Sequence, residues 1–480
     1  MSLAKKAISG IKWVSIARLS KQLFQFITIL ILAKLLSPVD FGLMGMAMVV
    51  IGFLNIFNDL GVSAAIIHMQ DIDDRLLSSV FWLNIAFGTL VMAVLAFLAP
   101  LIASLYGDFR LVPILQVLSI SFFVASITFL QQTYFEKKLL FKYTARAEII
   151  SVFISSVAAI VLAYKGYGVW SLVVQTLLGA SVNSFILWIT SPWRPKFVFY
   201  WIDIRSLMKF SLNLSGFNIF NYLIRNADSI LIGKYLGATA LGYYSLALRI
   251  ILYPLQNITA VISRVMYPVY SRIQQDDSKI REIYTQISCA IAFLTFPMMI
   301  GVMAIGDLFV YSFLGNKWES IINLLYILAP IGLLQSLDST TGTLFQIKGK
   351  TNWLFWWGIL TGLLFLLAYI IGLKWGIVGV ATGYLVLTLL QTYPGFAIPF
   401  HLINLKMLNY FNAVKGILFT SIVMGLLVFA SKSLLITFPS VKINFFLNSF
   451  LGLVLYIVVL FLVDRKILLD FLKRYKQLNY

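Results

Sequence analysis

The sequence predicts an all-α, polytopic membrane protein of about 14 transmembrane helices, in two pseudo-symmetric six-helix lobes followed by two extra C-terminal helices. Three observations predict it. First, 60% of the 480 residues are hydrophobic and only 11% are charged, with a mean hydropathy of +0.92, whereas soluble domains carry about 25% charged residues. Second, apolar runs longer than the roughly 18 residues needed to cross a bilayer recur along the whole chain. They do not resemble the alternating segments of about ten residues that build a membrane β-barrel. Third, the chain matches itself at an offset near 200 residues.

The candidate spans are 13–36, 41–65, 78–105, 111–135, 147–163, 168–190, 210–236, 241–268, 282–314, 320–345, 354–372, 376–400, 412–430 and 443–463. Lys5, Lys6 and Lys12 precede the first, as in a signal peptide. That run, however, holds Arg18 and Lys21 and lacks a small-residue cleavage site, so a retained span is expected.

With a cytoplasmic N-terminus, segments on that side carry 23 Lys and Arg, the opposite loops carry 6, and 8 lie within spans. This obeys the positive-inside rule and places both termini in the cytoplasm. The net charge of +19 is thereby explained without nucleic acid. Clusters such as Lys137, Lys138, Lys142 and Arg146, or Arg465, Lys466, Lys473, Arg474 and Lys476, fix topology and touch anionic membrane lipids.

Catalytic classes find little support. The lone Cys289 forms no internal disulfide, and His68 and His401 are too far apart in the chain for a metal cluster, so no metal and no cofactor are expected. Gly349-Lys350-Thr351 ends like a P-loop, but Leu344 stands where that loop needs glycine. Asp40-Phe41-Gly42 spells a kinase triplet with no other kinase element. The expectation is a protein that is not an enzyme.

The internal repeat organises the chain. At an offset of 200, Lys34, Leu36, Gly42 and Ala47 fall on Lys234, Leu236, Gly242 and Ala247. At an offset of 210, Ser126, Thr133, Phe135 and Lys138 fall on Ser336, Thr343, Phe345 and Lys348. Each repeat holds an even number of spans, so the two run parallel, related by an axis along the membrane normal. The expected divisions are an N-terminal lobe at 1–190, a basic cytoplasmic linker at 191–209, a C-terminal lobe at 210–400, and two helices with a basic tail at 401–480.

Polar residues inside spans mark the candidate site. On the seventh span, Asn218, Asn221, Arg225 and Asp228 lie 3, 4 and 3 residues apart, along one helix face. The first span carries Arg18, Lys21, Gln25 and Thr28 at equivalent positions. A charge at the bilayer centre costs about 2.5–3.5 kcal/mol, so each needs a partner or a water-filled cavity. Arg18 and Lys21 are near enough to the headgroups to snorkel. Arg225 can form a structural ion pair with Asp228 on the same face, which does not prevent it from lining a cleft. Arg249 is a further cavity candidate, and Asp59 and Asp338 are candidates for a gate or ion site. Asn55, beside Asn58 and Asp59, serves helix packing or ligand contact equally well. The stripes together point to a transporter of polar, anionic cargo.

Residues 13–68, in particular Leu36, Pro38, Asp40-Phe41-Gly42-Leu43, Met46-Ala47 and Asp59-Leu60-Gly61, resemble the opening of bacterial polysaccharide-transporter flippases, the Wzx and WzxC-like group. Their superfamily also holds MATE multidrug exporters and MurJ lipid II flippases. The resemblance implies two six-helix lobes, a cationic central cavity and alternating access. It further implies export of undecaprenyl-diphosphate-linked oligosaccharide units across the bacterial inner membrane for O-antigen, capsule or exopolysaccharide synthesis. Polysaccharide polymerase and glycosyltransferases would be the protein partners. Two alternatives stand beside it: a MATE-like drug or cation exporter, and a membrane-embedded polysaccharide polymerase or ligase.

Overall fold

A computed structural model describes residues 20–59, 74–200, 219–434 and 440–463. Among these, all regular structure is helical. The helices are α1 (20–35), α2 (Pro38–Asp59), α3 (Asp74–Tyr106), α4 (Leu111–Lys137), α5 (Phe141–Tyr164), α6 (Trp170–Thr190), α7 (219–225), α8 (Ala227–Arg272), α9 (Asp277–Phe309), α10 (Ile321–Asp338), α11 (Thr341–Ile347), α12 (Thr351–Gly372), α13 (Gly376–His401), α14 (Met407–Leu434) and α15 (Val441–Val463). Large apolar side chains such as Phe97, Trp356 and Leu462 stand exposed on them, as lipid-facing surface requires. The protein is a multi-pass membrane protein.

Eleven stretches of the described residues are long and apolar enough to cross a membrane, against fourteen expected. The difference has physical sources. Thr351–His401 counts once although the 3-10 turn Leu373–Trp375 divides it into α12 and α13. Ala227–Gln256 likewise runs through a backbone break at Gly237, which has φ 83°. Of the first expected span, 13–36, only the part from residue 20 onward is described.

The chain forms two compact units, Met1–Gly242 and Tyr243–Tyr480. In the first, α5 shows why membrane helices pack without a hydrophobic drive. Its buried residues are Ala145, Ala147, Ser151, Ser155, Ser156, Ala159 and Ala163, all small. The series 147, 151, 155, 159, 163 repeats every four residues and forms one ridge. Backbones can then approach closely, and Ser155 meets Gly179 of α6.

The start of α2 explains the Ser-Pro-Val-Asp stretch. The Ser37 N–H donates to Asp40 Oδ2 at 2.8 Å and the Ser37 hydroxyl donates to the same oxygen at 2.6 Å. The Asp40 N–H points back at Ser37 Oγ at 3.4 Å. This is a capping box with proline at the first helical position, where its missing N–H costs nothing. Asp40 is thereby engaged in ending a turn.

The same end of α2 meets the beginning of the 238–242 segment in a reciprocal contact within the first unit. A Cβ on Gly42 would lie 1.7 Å from the Ala238 carbonyl oxygen, and one on Gly242 would lie 1.8 Å from the Pro38 carbonyl oxygen. Each glycine Cα therefore sits directly against a carbonyl, in the manner of Cα–H···O contacts between membrane helices. Residues 38 and 238 correspond in the repeat, as do 42 and 242. A contact in which i meets j′ and j meets i′ is the signature of a local two-fold axis.

The second correspondence also has a structural counterpart. After α4, Leu139 takes φ 55°, the Leu140 N–H reaches Phe135 O at 2.8 Å, and Leu139 N–H reaches Glu136 O at 3.0 Å. After α11, Gly349 takes φ 66°, the Lys350 N–H reaches Phe345 O at 2.8 Å, and Gly349 N–H reaches Gln346 O at 3.1 Å. Both are the same left-handed helix stop. Leucine in that conformation costs roughly 1–2 kcal/mol, a cost glycine does not meet. Leu139→Gly is therefore expected to raise the melting temperature of the detergent-purified protein, by about 0.5–1 kcal/mol of stability. Gly349→Leu should lower it; equal melting of both variants and wild type would refute the strain.

The second unit is centred on aromatic packing. Tyr284, Phe396, Phe400 and Tyr410 are buried together, with Phe400 and Tyr410 ring centroids 4.9 Å apart. Helix α9 is started by Asp276, whose side chain accepts the Lys279 N–H at 3.0 Å.

Candidate functional site

Arg18, Asn218 and the side chain of Asp59 lie outside the described residues. The other candidates can be placed. On α1, Lys21 Nζ lies 3.9 Å from Glu148 Oε2 of α5, with side chains 39% and 42% exposed. One turn along, Phe24 meets Phe153 edge-on at 5.7 Å. Lys21 thus has a balancing carboxylate, which sequence spacing alone did not reveal. Gln25 is half-buried, and the buried Thr28 hydroxyl donates to Phe24 O at 2.7 Å on its own helix.

On the seventh-span stripe, Asn221 is half-buried, Arg225 is exposed and Asp228 is buried. Asp228 Oδ1 accepts the Ser229 N–H at 2.6 Å. Among the described residues no ion pair joins it to Arg225. A turn at Asn226 separates α8, whose first turn holds Asp228, from α7, which carries Arg225. The neighbouring Tyr222 fixes the helix that carries it: its hydroxyl donates to Val49 O of α2 at 2.9 Å, over Gly52, where a Cβ would meet that hydroxyl at 2.2 Å.

In the second unit, Arg249 is exposed on α8, one turn before the half-buried Tyr253. Asp338 is exposed at the end of α10, and its Oδ1 accepts the Thr341 hydroxyl at 3.0 Å. The polar run that begins at Gln335 corresponds to a helix break between α10 and α11. Ser336 is fully buried there and accepts the Thr295 hydroxyl at 3.0 Å. Gln335 donates to the Tyr384 hydroxyl.

The first unit also holds a cavity of about 410 Å³ among α2, α3, α4 and α6. Its polar wall includes Asn55, Asn84, Gln132, Glu136 and Asn183. Of these, Asn55 was legible as a ligand or packing residue; the other four were missed. Their signal was an amide or carboxylate in an otherwise apolar span: Asn84 on α3, Gln132 and Glu136 one turn apart on α4, and Asn183 on α6. Only packing brings four helices' contributions together.

The sequence profile of a family described as polysaccharide biosynthesis protein matches residues 31–323. Teichuronic acid biosynthesis protein TuaB of Bacillus subtilis (strain 168) is 29% identical over 89% of this chain and 89% of its own. Lipopolysaccharide biosynthesis protein WzxC of Escherichia coli (strain K12) is 28% identical over 88% of this chain and 83% of its own. Succinoglycan biosynthesis transport protein ExoT of Rhizobium meliloti (strain 1021) is 26% identical over 74% and 72%. Among solved structures, lipid II flippase MurJ in an inward closed conformation superposes with a TM-score of 0.77. It covers 96% of this chain and 100% of its own at 16% identity, a likeness of fold.

Proposed function

Because the chain belongs to the polysaccharide biosynthesis protein family, we propose that it is a flippase for polyprenyl-diphosphate-linked oligosaccharides. It would carry them across the bacterial cytoplasmic membrane by alternating access, for O-antigen, capsule or exopolysaccharide assembly. The observation that carries this reading is Arg225, an exposed guanidinium in an expected membrane span, unpaired with the nearby carboxylate. In hydrocarbon such a charge is costly; beside a water-filled path it is an anion-binding group.

In this mechanism Arg225 receives the diphosphate, with Lys21 as a further cation of the same unit; Arg249 is the candidate cation of the second unit. Amides such as Asn221 and Gln25 bind sugar hydroxyls. The two lobes expected at 1–190 and 210–400 would alternate in opening, with 191–209 as the linker and the last two helices outside the exchange. Asp59 and Asp338 remain the candidates for gating or ion coupling. Both termini face the cytoplasm in this orientation, and a polymerase and glycosyltransferases act on either side of the step.

The test is transfer of a labelled undecaprenyl-diphosphate oligosaccharide in proteoliposomes, with a cationic drug as the competing cargo. Transfer of the lipid-linked glycan alone is the expected result; export of the drug alone would replace this reading with a multidrug exporter. In intact spheroplasts, cysteines at Asn316 and Ser440 should react with an impermeant reagent and one at Ser278 should not. Labelling of Ser278 alone would invert the orientation.

A further inference from the structure

The cavity in the first unit differs chemically from the basic stripe. Among the described residues of its wall there is no Lys or Arg. Four amides reach it from four helices: Asn55 from α2, Asn84 from α3, Gln132 from α4 and Asn183 from α6. Each amide both donates and accepts. Among the described wall residues the one carboxylate is Glu136, which accepts from Gln132 Nε2 at 2.9 Å. A diphosphate would meet no cation among these residues and would be repelled by Glu136. A bare cation would find one carboxylate, already engaged.

The hydroxyls in the wall add acceptors only. Ser126, Thr128 and Thr133 donate to the carbonyls of Phe123, Val124 and Phe129 on their own helix, at 2.7, 2.6 and 2.9 Å. Their lone pairs remain for the cavity. Asn183 Oδ1 is buried with no hydrogen-bond partner, an arrangement that costs free energy until a donor arrives. Phe129 supplies an apolar ring face. The space, about 410 Å³, lies within the roughly 300–1,000 Å³ usual for small-molecule sites.

A ligand that fits is uncharged, rich in hydroxyls that donate and accept, and has an apolar face. We propose that this cavity is a saccharide subsite, taking an uncharged pyranose unit of the transported glycan at residues distinct from the Arg225 stripe. The proposal rests on the flippase reading for the origin of its ligand, but its chemistry stands on the cavity wall.

The probes are undecaprenyl diphosphate, bare or bearing one glucose, galactose or N-acetylglucosamine, titrated into the nanodisc-reconstituted protein. At least one glycosylated carrier should bind more tightly than the bare one. Asn84→Leu with Asn183→Leu should remove roughly tenfold of that advantage, the loss of about two hydrogen bonds, and leave the bare carrier's affinity unchanged. Equal binding of all four probes by the wild-type protein, or an advantage that survives the double substitution, overturns the subsite. A second measurement is independent of the carrier. With Cys289→Ser as background, a cysteine at the exposed Gln132 should be protected from N-ethylmaleimide by soluble methyl pyranosides and not by sodium chloride at matched osmolarity. Protection with no binding of any carrier would keep the subsite and defeat the flippase reading; absence of protection by every pyranoside would defeat the subsite.

Discussion

Gly42→Ala is expected to cost about 3 kcal/mol or more of stability, or to prevent accumulation of folded protein, although it adds one methyl group. The methyl carbon would lie 1.7 Å from the Ala238 carbonyl oxygen. That obstacle is backbone, which cannot rotate aside as a side-chain tip can. The helix end must move by more than an ångström, and α2 is held there by the Ser37 and Asp40 cap. Gly242→Ala should match it, because its methyl would lie 1.8 Å from the Pro38 carbonyl oxygen. Gly358→Ala is the control: nothing lies within 4 Å of its added carbon, and alanine favours helix. The measurement is thermal unfolding of the detergent-solubilised variants by tryptophan fluorescence. Wild-type melting of Gly42→Ala beside Gly358→Ala would show that the two backbones do not meet so closely.

Arg225→Ala should reduce glycan-lipid transfer roughly 10²-fold, about 3 kcal/mol of lost interaction with a charged group, while insertion and melting stay near wild type. Folding should survive because Arg225 is exposed and makes no ion pair with Asp228. Arg225→Lys keeps the charge but not the two-pronged hydrogen bonding, so part of the rate should remain. Asp228→Asn should be milder than Arg225→Ala, since Asp228 Oδ1 is already engaged by the Ser229 N–H and an amide oxygen can accept it too. The charge argument also predicts a driving force. Two negative charges crossing 100 mV contribute about 4–5 kcal/mol, so an inside-negative potassium diffusion potential should accelerate export and the reverse should slow it. Wild-type transfer by Arg225→Ala would remove this residue from the path, and indifference to the sign of the potential would remove the electrical drive.

The class and the helices were legible because lipid leaves so few options: long apolar runs in a chain with few charges can satisfy their backbone only as helices. The resemblance carried by residues 13–68 extended to the family as a whole. Helix ends were less legible, since hydropathy marks the hydrocarbon and not the helix. Helix α5 begins at Phe141, not at 147, because Lys142 and Arg146 continue the same helix beyond the apolar run. Within the candidate site, spacing put Asn221, Arg225 and Asp228 on a common stripe. It could not supply the Ser229 N–H that engages Asp228, nor Glu148 beside Lys21, nor the convergence of Asn84 with Asn183. Those depend on neighbours far along the chain or on a local turn, which helical periodicity does not encode.

The reciprocal glycine contact also has a consequence in time. Ala238 follows Gly42 by about 200 residues, and a ribosome adding about 5–20 residues per second needs roughly 10–40 s to bridge that gap. For that interval α2 is in the membrane with its notch at Gly42 unfilled. The close approach can form only when the 238–242 segment arrives. Biogenesis, rather than the finished molecule, is where a bulkier residue at Gly42 would be noticed first.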